Sequence, residues 1–151
     1  MSVRSASASA APAPKGEVAV YKIWWVGPLA IVAAIVANLV ARGIVLALVD
    51  VPAEFPPLQS PTIVFFTTIG VGLGALVFAL IGRRARRPIR TFRIVALVAL
   101  VVSILPNLSL MANPAGAPFP GATSQGFGLL IVFHVVAAVA AVATLTTLAR
   151  R

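Results

Sequence analysis

Along most of this chain apolar residues run on without the strict alternation of a half-buried strand or the single stripe of a surface helix. Four stretches stay apolar for about 20 residues, the length a helix needs to cross a bilayer core. They are Trp24 to Val49, Thr62 to Gly82, Phe92 to Met111 and Gly126 to Leu148. Helices that are apolar all round belong in a large core or in lipid. The pattern therefore predicts an all-α membrane protein, a four-transmembrane-helix bundle with short loops.

Local signals mark the ends of the stretches. Ser60 before Pro61 has the form of an N-cap with proline at the first helical position, and Thr123 or Ser124 can cap the fourth helix. Pro52, Pro56 and Pro57 stiffen the first loop, while Pro114, Pro118, Pro120, Gly116 and Gly121 break up the third. Residues 1–21 are rich in Ser, Ala and Pro, and they predict a disordered tail. A signal peptide is the rival reading of this end. The apolar run that follows is too long for it, and no small-x-small cleavage site comes after.

Composition supports the membrane reading. Of 151 residues 60% are hydrophobic and only 10% charged, too few to cover a soluble domain of this size. The net charge of +9 is clustered beside the spans, which favours a membrane topology signal over a nucleic-acid surface. Arg83, Arg84, Arg86, Arg87 and Arg90 fill the second loop, with Arg93 just beyond it. Arg4, Lys15 and Lys22 precede the first span, and Arg150 and Arg151 end the chain. The other two loops hold only Asp50 and Glu54. By the positive-inside rule the arginine loop and both termini face the cytoplasm. Tyr21, Trp24 and Trp25 then lie at the inner interface, and the arginine loop meets anionic lipid headgroups there.

The chain has no cysteine, so disulfides, thiolate metal sites and cysteine catalysis are excluded. The single histidine, His134, cannot by itself supply a multi-ligand metal or haem site. No metal, cofactor or nucleic acid is expected. Partners are the lipid bilayer itself and a second copy or another membrane protein. Neither paired intramembrane carboxylates nor an HExxH or Ser-Lys arrangement occurs, and no catalytic residue is assigned.

What needs explaining is the set of polar residues inside the spans: Asn38, Arg42, Thr67, Thr68, Ser103, Asn107 and His134. Such residues usually face the bundle interior or a cavity. At 1.5 Å per residue they fall within about 6–16 Å of one end of their helices. Asn38, Arg42, Ser103, Asn107 and His134 form the candidate polar site. It is read either as hydrogen-bonding glue between helices or as a seat for an anion or polar headgroup beside Arg42. Arg42 keeps its charge, so its alternatives are to bind inward or to reach lipid phosphate, Asp50 or Glu54 at the interface. Gly70 and Gly74 make a GxxxG pair in the second span. It predicts close helix packing, within the protomer first and at a dimer seam second.

A further series of features runs through the chain. Ala37-Asn38-Leu39-Val40 precedes a proline-rich loop, and the glycine-rich second span leads to Arg83-Arg84-x-Arg86-Arg87-Pro88. Ser103-x-x-Pro106 lies in the third span, and Gly121-Ala122-Thr123 precedes a fourth span with one histidine. Residues 22–150 so resemble a small bacterial four-span family known as a domain of unknown function. Asn38, Ser103, Pro106 and His134 match its pattern, and Arg42 stands outside it. The resemblance implies a bacterial inner-membrane protein and supplies no activity. Function is left between a non-catalytic lipid- or small-ligand-binding, assembly or accessory protein and a small transporter or channel.

Overall fold

The computed structural model describes residues 18–150. Four long helices carry the chain: α1 (Ile23–Leu48), α2 (Ser60–Arg84), α3 (Pro88–Ala112) and α4 (Ser124–Leu148). All four are long and apolar enough to cross a membrane. At 1.5 Å per residue each is roughly 37 Å long and exceeds the bilayer core of about 30 Å. α1 packs on α2 and α4, α3 packs on α4 and α2, and α2 meets α4 across the bundle. The exterior is a wall of apolar side chains, among them Val36, Val40, Phe66, Leu73, Leu97 and Val139. Exposed apolar area on this scale is what a lipid-facing surface requires.

Helix ends follow the local chemistry with two adjustments. Thr123 caps α4 by accepting a hydrogen bond from the Gly126 N–H at 3.0 Å. Ser124 instead donates to the Met111 carbonyl at 2.8 Å and ties α4 to the end of α3. Ser60 is not the cap of α2. Gln59 holds that position without a side-chain hydrogen bond, and Ser60 is already helical.

The interior divides into two apolar cores. One lies toward the arginine turn and joins Val26, Ala30, Ala34, Val71, Ala75, Phe78, Phe92, Ala141 and Leu145. The other lies at the opposite end and joins Phe55, Leu58, Ile63, Phe127 and Phe133. Each end is closed by a segment that comes before a helix.

At the loop end the plug is Phe55. It is 1% exposed and stacks edge-on against Phe127, with ring centroids 5.4 Å apart. Its ring stands over Gly126, where an added Cβ would come within 2.9 Å of it. The third loop crosses the first at Gly121, which has φ +65° and lies against Pro52, Glu54 and Phe55. Glycine is the residue that takes this left-handed conformation without steric cost.

At the arginine end the clasp is residues 18–22. Val18 and Ala19 are buried, and Val18 bridges Arg150. The Ala19 N–H donates to the Ala149 carbonyl at 2.8 Å, and the Lys22 ammonium donates to the Arg150 carbonyl at 2.9 Å. These donors satisfy carbonyls that the end of α4 leaves without helical partners. The expected disordered tail therefore ends too late: residues 18–21 are part of the fold because two small apolar side chains find burial against α2 and α4. The rest of that tail lies outside the described residues.

The GxxxG expectation is corrected as a packing contact within the protomer. A Cβ at Gly70 or Gly74 would meet nothing within 4 Å. The inward row of α2 is Ile63, Thr67, Val71, Ala75 and Phe78. Gly70 is exposed and Gly74 half-buried, and neither belongs to that row. The close approach of α1 to α2 falls at Gly27, whose added Cβ would touch the Ala75 Cβ at 3.5 Å. Accordingly, Gly74→Leu should leave thermal stability in detergent nearly unchanged. Gly126→Leu should overpack Phe55 and cost about 1–3 kcal/mol. Equal losses in the two variants would contradict this assignment.

Candidate functional site

Where the two apolar cores meet, α1 and α2 carry a polar contact. Asn38 follows Ala34 by one helical turn, and Thr67 precedes Val71 by one, so both project from inward rows. Asn38 is 2% exposed, and its Nδ2 donates to the Thr67 Oγ1 at 3.0 Å. The Asn38 Oδ1 is buried and has no hydrogen-bond partner among the described residues. Oxygen and nitrogen of a side-chain amide are interchangeable by a flip. Flipping would let the Thr67 hydroxyl donate to Oδ1 and would leave Nδ2 orphaned instead. In either orientation the amide keeps an unused hydrogen-bonding group in a low-dielectric setting, where each such group costs about 1–3 kcal/mol.

Arg42 lies one turn further along α1 and is half-buried. Its Nε donates to the Leu58 carbonyl at 2.7 Å. That carbonyl lies three residues before Pro61, which has no N–H to offer it. Arg42 thus ties α1 to the first loop beneath the Phe55 plug. Among the described residues its hydrogen bond goes to a backbone carbonyl, not to Asp50 or Glu54.

The remaining candidates bond to their own helices. Ser103 Oγ donates to the Leu100 carbonyl at 2.7 Å, and Asn107 Nδ2 donates to the Ser103 carbonyl at 3.3 Å. Pro106 deprives the Val102 carbonyl of its helical donor, and neither of these side chains goes to it. His134 Nδ1 lies 2.7 Å from the Leu130 carbonyl. A carbonyl only accepts, so Nδ1 carries the proton, and in the neutral ring Nε2 is left as an acceptor. Thr68, Thr144, Thr146 and Thr147 likewise bond to carbonyls four residues earlier.

The expected layer is therefore not one hydrogen-bonded unit. Asn38, Arg42, Ser103, Asn107 and His134 lie at related depths, yet each has a separate partner. The reason is local competition. Ser, Thr and His on a helix reach a carbonyl of the preceding turn more easily than a group across the bundle. Thr67 is the residue that sequence reasoning underrated. Its signal was available, since it is the polar member of the row Ile63, Thr67, Val71, Ala75. Among the described residues no three His, Cys, Asp or Glu side chains gather in a metal-binding arrangement.

Fold and site together define a multi-pass membrane bundle with a small polar seam between two apolar cores. The chain belongs to the family of unknown function DUF6069, whose sequence profile matches residues 18–151. The match begins at Val18, the first residue of the clasp. No curated protein and no solved structure matches the chain.

The Asn38–Thr67 contact should be energetically real but modest. A double-mutant cycle with Asn38→Ala and Thr67→Val should give a coupling of about 0.6 kcal/mol, the mean for hydrogen bonds between membrane helices. The same cycle with His134→Ala in place of Thr67→Val should be additive. Coupling of Asn38 to His134 with none to Thr67 would overturn the pairing.

Proposed function

We propose that the protein is a non-catalytic lipid-binding component of a bacterial inner membrane, acting in an accessory or assembly role. The observation that carries this reading is the unequal use of its arginines. Arg42 and Arg150 are engaged with backbone carbonyls of the protein itself. Arg83, Arg84, Arg86, Arg87 and Arg90 crowd the turn between α2 and α3, and all five are exposed. Five guanidinium groups on one short turn repel one another and favour an anionic surface, at about 1 kcal/mol for each basic residue near it. In the same reading the arginine turn and both termini face the cytoplasm.

Orientation is tested with single cysteines at Ala53, Ala85 and Ala115, in a chain that has no cysteine of its own. In intact cells positions 53 and 115 should react with an impermeant thiol reagent and position 85 should not. Labelling at 85 would reverse the orientation.

Lipid binding is tested by mass spectrometry of protein extracted in mild detergent. Anionic phospholipid should remain bound in excess of its share of the membrane, and the excess should fall when the five turn arginines are changed to Gln. Retained lipid that mirrors bulk composition would sink the reading. The rival, a small transporter, draws on the orphaned Asn38 amide in the seam. It requires solute flux into proteoliposomes that is lost in Asn38→Ala.

A further inference from the structure

Between α1 and α2, on the outside of the bundle, a groove runs from the arginine end toward the middle of the helices. It has a volume of about 390 Å³, and its walls include Trp24, Gly27, Pro28, Gly72, Ala79 and Arg83. The groove exists because its floor is made of small residues. Gly27 and Ala75 let the helix backbones approach, and the Gly72 position comes within 3.8 Å of the Ile31 side chain. Pro28 contributes as well. It has no N–H, so the Trp24 carbonyl near the mouth lacks its usual helical donor.

Length decides what fits. Gly72 and Arg83 are 11 residues apart on α2 and both line the groove. At 1.5 Å per residue the groove is about 16 Å long, close to half of the roughly 30 Å hydrocarbon core. A single hydrocarbon chain from one leaflet matches this length, with its headgroup at the arginine end.

The mouth supplies the polar chemistry. Arg83 is exposed there, and Trp24 is 78% exposed beside it. Indole rings favour the headgroup level of a bilayer, and a guanidinium binds phosphate through paired N–H donors. We propose that this groove is a specific seat for one acyl chain of an anionic glycerophospholipid, with the phosphate on Arg83 and the glycerol region against Trp24. The seat rests on the lipid-binding reading above and gives it a location.

The protein carries its own reporter, since Trp24 and Trp25 are its two tryptophans. In a Trp25→Phe background Trp24 is the sole indole. The protein is reconstituted in vesicles that contain phosphatidylglycerol and phosphatidylcholine, with the acyl chains of one or the other brominated. Bromine quenches indole fluorescence on contact, so quenching reports which lipid occupies the seat. Brominated phosphatidylglycerol should quench beyond its mole fraction. Arg83→Gln should weaken that preference about fivefold, the effect of one basic residue at an anionic surface. Gly72→Leu, which fills the far end of the groove and leaves every arginine in place, should also weaken it. Arg93→Gln removes a charge outside the groove and should leave the preference intact.

Quenching in proportion to mole fraction, or equal effects of Arg83→Gln and Arg93→Gln, would overturn the seat. So would a Trp24 shielded from both brominated lipids, which would mean a protein occupant. Retained anionic lipid together with quenching that ignores Arg83 would remove the seat alone, whereas absence of any retained lipid would remove the broader reading.

Discussion

Hydrocarbon offers a polar group no hydrogen-bond partner, and this constraint shapes every polar residue in the bundle. Backbone groups are satisfied by making each crossing segment a helix. Side chains then have two routes. Thr68, Ser103, His134, Thr144, Thr146 and Thr147 return to carbonyls of their own helices. Asn38 cannot place a whole amide that way, and it reaches across to Thr67 on α2. That contact lies where the two apolar cores adjoin, so α1 and α2 are held in register there by a bond with direction, while van der Waals packing holds them elsewhere. The amide still keeps one unused group.

The two ends of the bundle solve a different problem. A helix leaves up to four unpaired carbonyls at its C-terminus and four unpaired N–H groups at its start. At the loop end, the prolines of the first loop and Gly121 of the third bring the two loops together, and Phe55 fills the gap between helices. Arg42 then meets a carbonyl that Pro61 cannot serve. At the arginine end, Ala19 and Lys22 serve the last carbonyls of α4. Both closures use the chain's own groups. The arginines of the α2–α3 turn are exposed, and the α1–α2 groove opens beside the first of them.

Much of this was legible in the sequence, for identifiable reasons. Span number, approximate limits and the bundle class follow from uninterrupted apolar length, which in a chain this short and this poor in charge points to a bilayer. Cap chemistry narrowed the start of α4 to Thr123 or Ser124, because a capping side chain acts on its own helix. Counting along a helix gives the depth of a polar residue but not its partner, because partnership depends on how each helix is rotated about its axis. Gly70 and Gly74 show the same limit: the motif was real, but neither glycine meets a neighbouring helix among the described residues. Residues 18–21 were missed because Val18 and Ala19 gain burial only from α2 and α4, which lie far along the chain.

The pairing of Asn38 with Thr67 is the most direct point of test for this account. Solution NMR of the protein in micelles, with Asn side-chain amides labelled with nitrogen-15, reads it without any mutation. The account predicts that the Asn38 amide protons exchange slowly with water and show a cross-relaxation peak to the Thr67 methyl group. An Asn38 amide that exchanges freely, or one whose cross-peaks lead to His134 and not to Thr67, would contradict it.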